Sequence, residues 1–182
     1  MTVRPFRGAS AAIWSYDDSQ LLGPGGFGNV YAGSNEGGVA FAVKVLPLDP
    51  SRARPLESLL REVEIAERIN AVDHPHLLPA IDHAVESSVL YLVMPLASES
   101  LDDALRRGLT AEEQLVAMKD VAQGLMQLHG LPILHRDLKP KNVLSRNDVW
   151  ALADFGIARD LDESTATLTW AGFGTTRYMA PE

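Results

Sequence analysis

The residues able to do chemistry crowd into one stretch. His135-Arg136-Asp137-Leu138-Lys139-Pro140-Lys141-Asn142 offers a carboxylate, a lysine two positions on and an amide five positions on. Asp154-Phe155-Gly156 adds a second carboxylate twelve residues after Asn142. These types suit phosphoryl transfer, which needs little covalent help from a protein and much positioning and charge compensation. A carboxylate at Asp137 could accept a hydroxyl proton. A lysine at Lys139 could sit near the moving phosphate. Asn142 and Asp154 together offer the oxygen ligands that magnesium prefers. Asp-Phe-Gly alone is a commonplace turn; both motifs, in this order and at this spacing, are hard to reach by chance.

A second group lies near the start of the chain. Gly23-Pro24-Gly25-Gly26-Phe27-Gly28-Asn29-Val30 fits G-x-G-x-x-G-x-V. Glycines let backbone lie against phosphates, although a tight hairpin turn has the same composition. A dinucleotide fold would need a helix directly after the glycines. Here Val30-Tyr31-Ala32 continues as a strand, so that reading fails. Phe41-Ala42-Val43-Lys44 then sets a lysine in an apolar strand. Most strand lysines are solvated edge residues. Downstream of a glycine loop, Lys44 reads instead as a phosphate ligand, with an anion to hold it. Arg61-Glu62-Val63-Glu64 supplies that anion, Glu62 first and Glu64 as the alternative.

Elements must position these groups. Residues 21–30 and 39–46 are β-rich and flank an Asn35-Glu36-Gly37-Gly38 turn, a hairpin signal. Residues 56–70 predict a helix with Leu59, Leu60, Val63, Ala66 and Ile69 roughly on one face, broken by His74-Pro75. Strands are expected at 77–83 and 89–94. Thr110 followed by Glu113 has the spacing of a capping box, and a helix runs from there to about His129. Its expected apolar face is Leu115, Met118, Val121, Ala122, Leu125 and Leu128. Gly130 and Pro132 end it. Strand pieces follow at 143–144 and 149–153. A β-rich first half and a helix-led second half predict an α+β, two-lobed fold, joined through residues 95–100.

Composition removes several alternatives. The 182 residues suffice for a real core. Hydrophobic content of 46% with 22% charged residues reads as globular rather than disordered. The net charge of −8 implies no general affinity for nucleic acid or anionic membrane. Without cysteine, a disulfide scaffold, a thiolate zinc site and a thiol nucleophile are excluded. No apolar run approaches a membrane span. Residues 1–12 lack the apolar block of a signal peptide, so residues 1–13 read as a poorly ordered lead-in to a cytoplasmic protein.

Taken in order, the glycine loop, Phe41-Ala42-Val43-Lys44, His135-Arg136-Asp137…Asn142, Asp154-Phe155-Gly156 and Ala180-Pro181-Glu182 resemble the eukaryotic-like (Hanks-type) Ser/Thr protein kinases. The resemblance covers residues 16–182. It implies a β-rich N-lobe over 14–94, a hinge over 95–100 and part of a helical C-lobe over 101–182. It implies ATP and magnesium as cofactors and a protein hydroxyl as substrate. Asp137 would be the catalytic base, Lys139 a charge stabiliser, and Asn142 and Asp154 the magnesium ligands. Lys44 would bind the α- and β-phosphates and pair with Glu62. Leu22, Gly23, Gly25 and Gly28 would lie along the nucleotide. Met94 would be the gatekeeper. The Pro95 carbonyl and Ala97 N–H would face adenine, and Val30, Ala42 and Leu144 would sandwich it. Thr175 would contact Asp137 and Lys139. Lys139 in Asp-Leu-Lys-Pro-Lys-Asn resembles the Ser/Thr branch. Arg136 implies control by activation-loop phosphorylation, with Thr165, Thr167 and Thr169 as candidates and self-association for autophosphorylation as the partner mode.

Two features depart from the family pattern. Glu62 lies a few residues farther from His74-Pro75 than is usual. The sequence also stops at Ala180-Pro181-Glu182, where the family continues with helices that complete the large lobe. The helix from Thr110 to His129 is then expected to expose apolar surface. Besides a working kinase, the residues admit a non-catalytic ATP-binding module, an inactive fragment or a small-molecule kinase. The segment around Thr175 and Tyr178 speaks against the last. Arginine usage and short loops hint at a bacterial source.

Overall fold

The structure, a computed structural model of the chain, describes residues 2–24, 28–48, 56–71, 74–155 and 159–160, with backbone alone for 56–62 and 159–160. The chain divides into two compact units, Met1–Glu67 with Ala80–Leu96, and Arg68–Pro79 with Ala97–Glu182.

Alternation of side chains builds the first unit. Strands β1 (Val3–Arg7), β2 (Ile13–Pro24), β3 (Asn29–Asn35), β4 (Ala40–Pro47), β5 (Asp82–Glu86) and β6 (Val89–Pro95) form one antiparallel sheet in the order β1-β2-β3-β4-β6-β5. Residues two apart share a face of a strand. On one face Val43 and Val93 join Phe6, Trp14, Tyr16 and Ala84, with Tyr31, Phe41 and Tyr91 packed around them. The rings of Phe6 and Tyr91 stack at 4.6 Å, and Trp14 meets Phe41 edge-on at 4.9 Å. Such pairs add about 0.5–1.5 kcal/mol beyond the area they bury. On the opposite face Leu46, Leu90 and Leu92 cluster with Val63 of helix α1 (Leu56–Asn70).

Two expectations change here. Residues 1–13 are no loose lead-in: β1 pairs with β2 from Val3↔Asp17 to Arg7↔Ile13, and buried Phe6 anchors it in the aromatic face. A five-residue strand with one apolar side chain turned inward leaves almost no trace in sequence periodicity. The strand expected at 77–83 is split by Pro79, which has no N–H to donate. Strand β5 starts only at Asp82, while Leu77 makes a single parallel bridge to Leu152 in the other unit's sheet region, where residues 68–79 belong.

The second unit is built on a small sheet in the order β10-β9-β7, from β7 (Glu99–Ser100), β9 (Val143–Arg146) and β10 (Val149–Leu152). A second pairing joins β8 (Ile133–Leu134) to β11 (Arg159–Asp160). Helix α2 (Leu101–Arg107), unforeseen in the sequence, starts at Ser100, whose hydroxyl accepts from the Asp103 N–H, and ends at Gly108. Helix α3 (Ala111–Gly130) opens on Thr110 with the full capping box to Glu113.

Of the expected apolar face of α3, Leu128 is buried while Leu115 and Met118 are exposed, the apolar exposure expected of this helix. Ala117, Asp120, Gly124 and Leu128 are buried, while Leu115, Met118 and Met126 are 68%, 70% and 73% exposed. The helix packs on backbone, so small residues face inward. A Cβ on Gly124 would lie 2.8 Å from the His76 carbonyl oxygen. Strand β10 is an edge, and an edge leaves N–H groups without ladder partners. Asp120 answers this by accepting the Trp150 N–H at 3.1 Å, while His76 Nδ1 donates to the Trp150 carbonyl at 3.1 Å.

Candidate active site

Antiparallel register lines up the first unit's candidates. Gly23 pairs with Val30, Val30 with Lys44, and Lys44 with Leu92, so one rung of the sheet runs from the glycine segment to the lysine. The next rung on that face pairs Ala32 with Ala42 and Ala42 with Met94. Lys44 is only 3% exposed, unlike a solvated edge lysine. Two glycines of the loop differ in what they do. A Cβ on Gly28 would strike the Val45 carbonyl oxygen at 2.2 Å, so close packing of two strands requires glycine there. A Cβ on Gly23 would meet nothing within 4 Å, so packing does not require glycine there. Leu22 is half exposed, and Pro95 closes β6 opposite Phe41.

The second unit assembles the catalytic candidates through one carboxylate. Lys139 Nζ reaches Asp137 Oδ2 at 2.5 Å. Asn142 Nδ2 donates to the same oxygen at 3.0 Å and to the Asp137 carbonyl at 2.9 Å. Both bonds use the nitrogen of the Asn142 amide, which leaves its Oδ1 as the acceptor end. The following carboxylate is fixed to this loop through Ala153. The Ala153 N–H donates to the Asn142 carbonyl at 2.9 Å, and His135 Nε2 donates to the Ala153 carbonyl at 3.1 Å. Asp154 is the next residue, so these two bonds to the Ala153 backbone set its place relative to the loop. The Asp137 N–H points back to His135 Nδ1 at 3.4 Å.

His135 is buried, its ring 5.5 Å from that of Phe155. Burial pushes its pKa below the ordinary imidazole value; the Ala153 hydrogen bond and the Asp154 and Asp137 charges act the other way without prevailing. A neutral ring is what one donating and one accepting nitrogen require. Arg136 and Asp154 both sit at left-handed backbone angles, φ 64° and 61°. Such angles are costly for residues other than glycine and concentrate at functional sites.

Of the adenine-side residues, Ala97 and Leu144 pack against one cluster of Leu78, Ala151 and Ala153. Ser98 ties the segment after Ala97 down, its N–H and hydroxyl both donating to the Ser145 carbonyl at 2.8 and 3.0 Å. Gly25 and Thr175 lie outside the described residues, as do Thr165, Thr167, Thr169, Gly156 and Glu182, together with the Glu62 side chain. Glu64, the alternative partner for Lys44, is exposed. Sequence reasoning assigned no role to His135 as the brace of Ala153, nor to Asp120 beneath β10. Both act through backbone atoms of residues far along the chain, which no spacing reveals.

The candidate donors for a cation are an amide and a carboxylate oxygen, Asn142 Oδ1 and Asp154. Hard oxygen donors, few in number, suit magnesium, which keeps waters and phosphates as its other ligands. Among the described residues no three of His, Asp and Glu form a metal cage.

Comparison with known proteins finds relatives over nearly the whole chain. The family model described as protein kinase domain matches residues 16–182. A putative L-type lectin-domain containing receptor kinase V.6 of Arabidopsis thaliana is 36% identical over 94% of the chain and 34% of its own length. Serine/threonine-protein kinase fused of Drosophila melanogaster is 36% identical over 92% of the chain and 21% of its own length. Serine/threonine-protein kinase PknH of Mycobacterium bovis is 34% identical over 92% and 28% respectively. The chain thus spans about a third or less of the relatives it matches.

Proposed function

Because the chain belongs to the protein kinase family, we propose that it transfers the γ-phosphoryl group of ATP to serine or threonine hydroxyls of proteins. The observation that carries the proposal is the convergence of Lys139 and Asn142 on one oxygen of Asp137, with Asp154 braced beside the same loop through Ala153. Asp137 would accept the proton of the attacking hydroxyl. Lys139, already against that carboxylate, would balance charge as the phosphoryl group moves. Asn142 and Asp154 would hold magnesium, which supplies charge compensation on the phosphate oxygens when bound. Lys44 and Gly23 would lie along the phosphates, and Ala42, Val30 and Met94 would offer apolar contact to adenine. The setting proposed with this activity is cytoplasmic, where ATP is plentiful, and the acceptor includes other copies of the chain. No described helix is long and apolar enough to cross a membrane.

Binding and chemistry separate in a test. Titration calorimetry with Mg-ATP should show weakened binding in Lys44→Met and Asp154→Asn. Asp137→Asn should bind ATP normally yet lose about 10²–10⁴-fold in transfer rate, the usual share of a general base. An Asp137→Asn protein that transfers phosphate at the unsubstituted rate would remove Asp137 from the reaction.

A further inference from the structure

The first unit contains a buried carboxylate that the proposed reaction does not use. Asp82 opens β5, is 7% exposed and has no cation among its hydrogen-bond partners. Four donors serve it instead. Ser10 gives its hydroxyl to Oδ2 at 2.5 Å and its N–H to Oδ1 at 3.2 Å. Trp14 Nε1 donates to Oδ2 at 2.7 Å, and the His83 N–H to Oδ1 at 2.8 Å. Burial works to raise the Asp82 pKa, but the bonds from Ser10, Trp14 and His83 together hold it below the ordinary carboxylate value. The buried group is therefore an anion neutralised by dipoles alone, an arrangement that a nearby second anion would upset.

Ser10 lies in the turn that ends β1 and returns the chain to β2. That turn is tight. The Ala9 N–H donates to the His83 carbonyl at 2.7 Å and the Arg7 N–H to Glu86 at 3.2 Å. A Cβ on Gly8 would fall 1.9 Å from Asp82 Oδ2, so there is no spare volume beside the carboxylate. Ala11 holds a left-handed φ of 68°, an unfavourable angle for alanine that the surrounding bonds must sustain. Ser10 itself, with Ala9 and Ala11, is exposed. The hydroxyl of an exposed residue is thus bonded, across 72 residues of sequence, to a buried carboxylate with no cation among its hydrogen-bond partners.

We propose that Ser10 is a phosphorylation site, and that a phosphoryl group there releases β1 from the sheet. In the modification, the Ser10 oxygen forms a bond to the γ-phosphorus of ATP as the β–γ bridging P–O bond breaks; ADP leaves and the hydroxyl proton is released. The product replaces a donor to Asp82 with a group of charge near −2 that only accepts. Its oxygens and the Asp82 carboxylate repel each other, and Gly8 leaves no room for them to part within the turn. The segment that lifts away carries Phe6, so release opens the aromatic face beneath β4, the strand that bears Lys44 on its other side. The inference does not depend on the transfer activity of this chain, since any Ser/Thr kinase could act on Ser10.

The test installs phosphoserine at position 10 of the full chain during synthesis and follows amide hydrogen exchange. The protected amides of β1 should exchange at least about tenfold faster than in the unmodified chain. Ser10→Ala, which keeps the backbone N–H, Trp14 and His83 donors, should change them far less. Combining phosphoserine with Asp82→Asn should restore most of the protection, because the repelling charge is gone; this also separates release of β1 from general unfolding. Unchanged exchange in β1 with phosphoserine present, or loss of protection that is the same with Asp82→Asn, would overturn the proposal.

Discussion

Lys139 and Asn142 hold Asp137 at its carboxylate, and His135 holds it at its backbone N–H. The types of the candidate catalytic residues were legible in the sequence because phosphoryl transfer restricts them to few chemistries at fixed offsets. Their bracing was not. His135 acts on the carbonyl of Ala153, 18 residues away, and only the fold brings the two together. That brace has a consequence in acid. The buried ring holds its proton less well than in the unfolded chain, so between its folded pKa and about 6.5 the unfolded state binds more protons. The stability this gives is complete above about pH 6.5 and is lost as pH falls toward the folded value. Chemical unfolding between pH 7.5 and 5.5 should show the decline, at up to about 1.4 kcal/mol per pH unit for one proton. His135→Gln should flatten that slope; an unaltered slope would place the acid sensitivity elsewhere.

At the scale of elements, capping and turn chemistry were readable where they were local. The helix over 56–70 and the Thr110–Glu113 capping box needed only neighbouring residues. Apolar periodicity marks Leu115 and Met118 on α3, and these are exposed, as expected of this helix. The helix instead faces a sheet edge with Ala117, Gly124 and a carboxylate. Asp120→Ala should therefore cost about 1–3 kcal/mol by orphaning the Trp150 N–H, whereas Met118→Ala should cost little. Denaturant midpoints of the two variants decide this, and equal losses would contradict it. The β5–β6 hairpin offers the converse case. Its two-residue loop, Ser87-Ser88, adopts φ 48° and 62°, angles that favour asparagine and glycine. Ser88→Gly should leave stability unchanged or raise it by up to about 1 kcal/mol, read as a higher melting temperature. A clear loss would show that the serine supplies more than a turn.

For the whole molecule, two compact units carry two complementary sets of groups. The first holds Lys44 and the glycine segment on one sheet, and the second holds Asp137, Asn142 and Asp154 around one loop. The α+β class and the division of labour were legible because the two halves of the sequence differ in periodicity. The extra strand β1 and the passage of residues 68–79 into the second unit were not, since a single buried Phe6 and a single proline decide them. Exposed Leu115, Met118 and Met126 agree with the apolar surface expected on the helix after Thr110. Transfer of phosphate by these residues is tested by intact-mass measurement after incubation with Mg-ATP and a generic protein acceptor. Added phosphate is expected, in steps of one phosphoryl group, on acceptor or chain, and none with Asp154→Asn. A folded chain that binds Mg-ATP and adds no phosphate to either protein would contradict it.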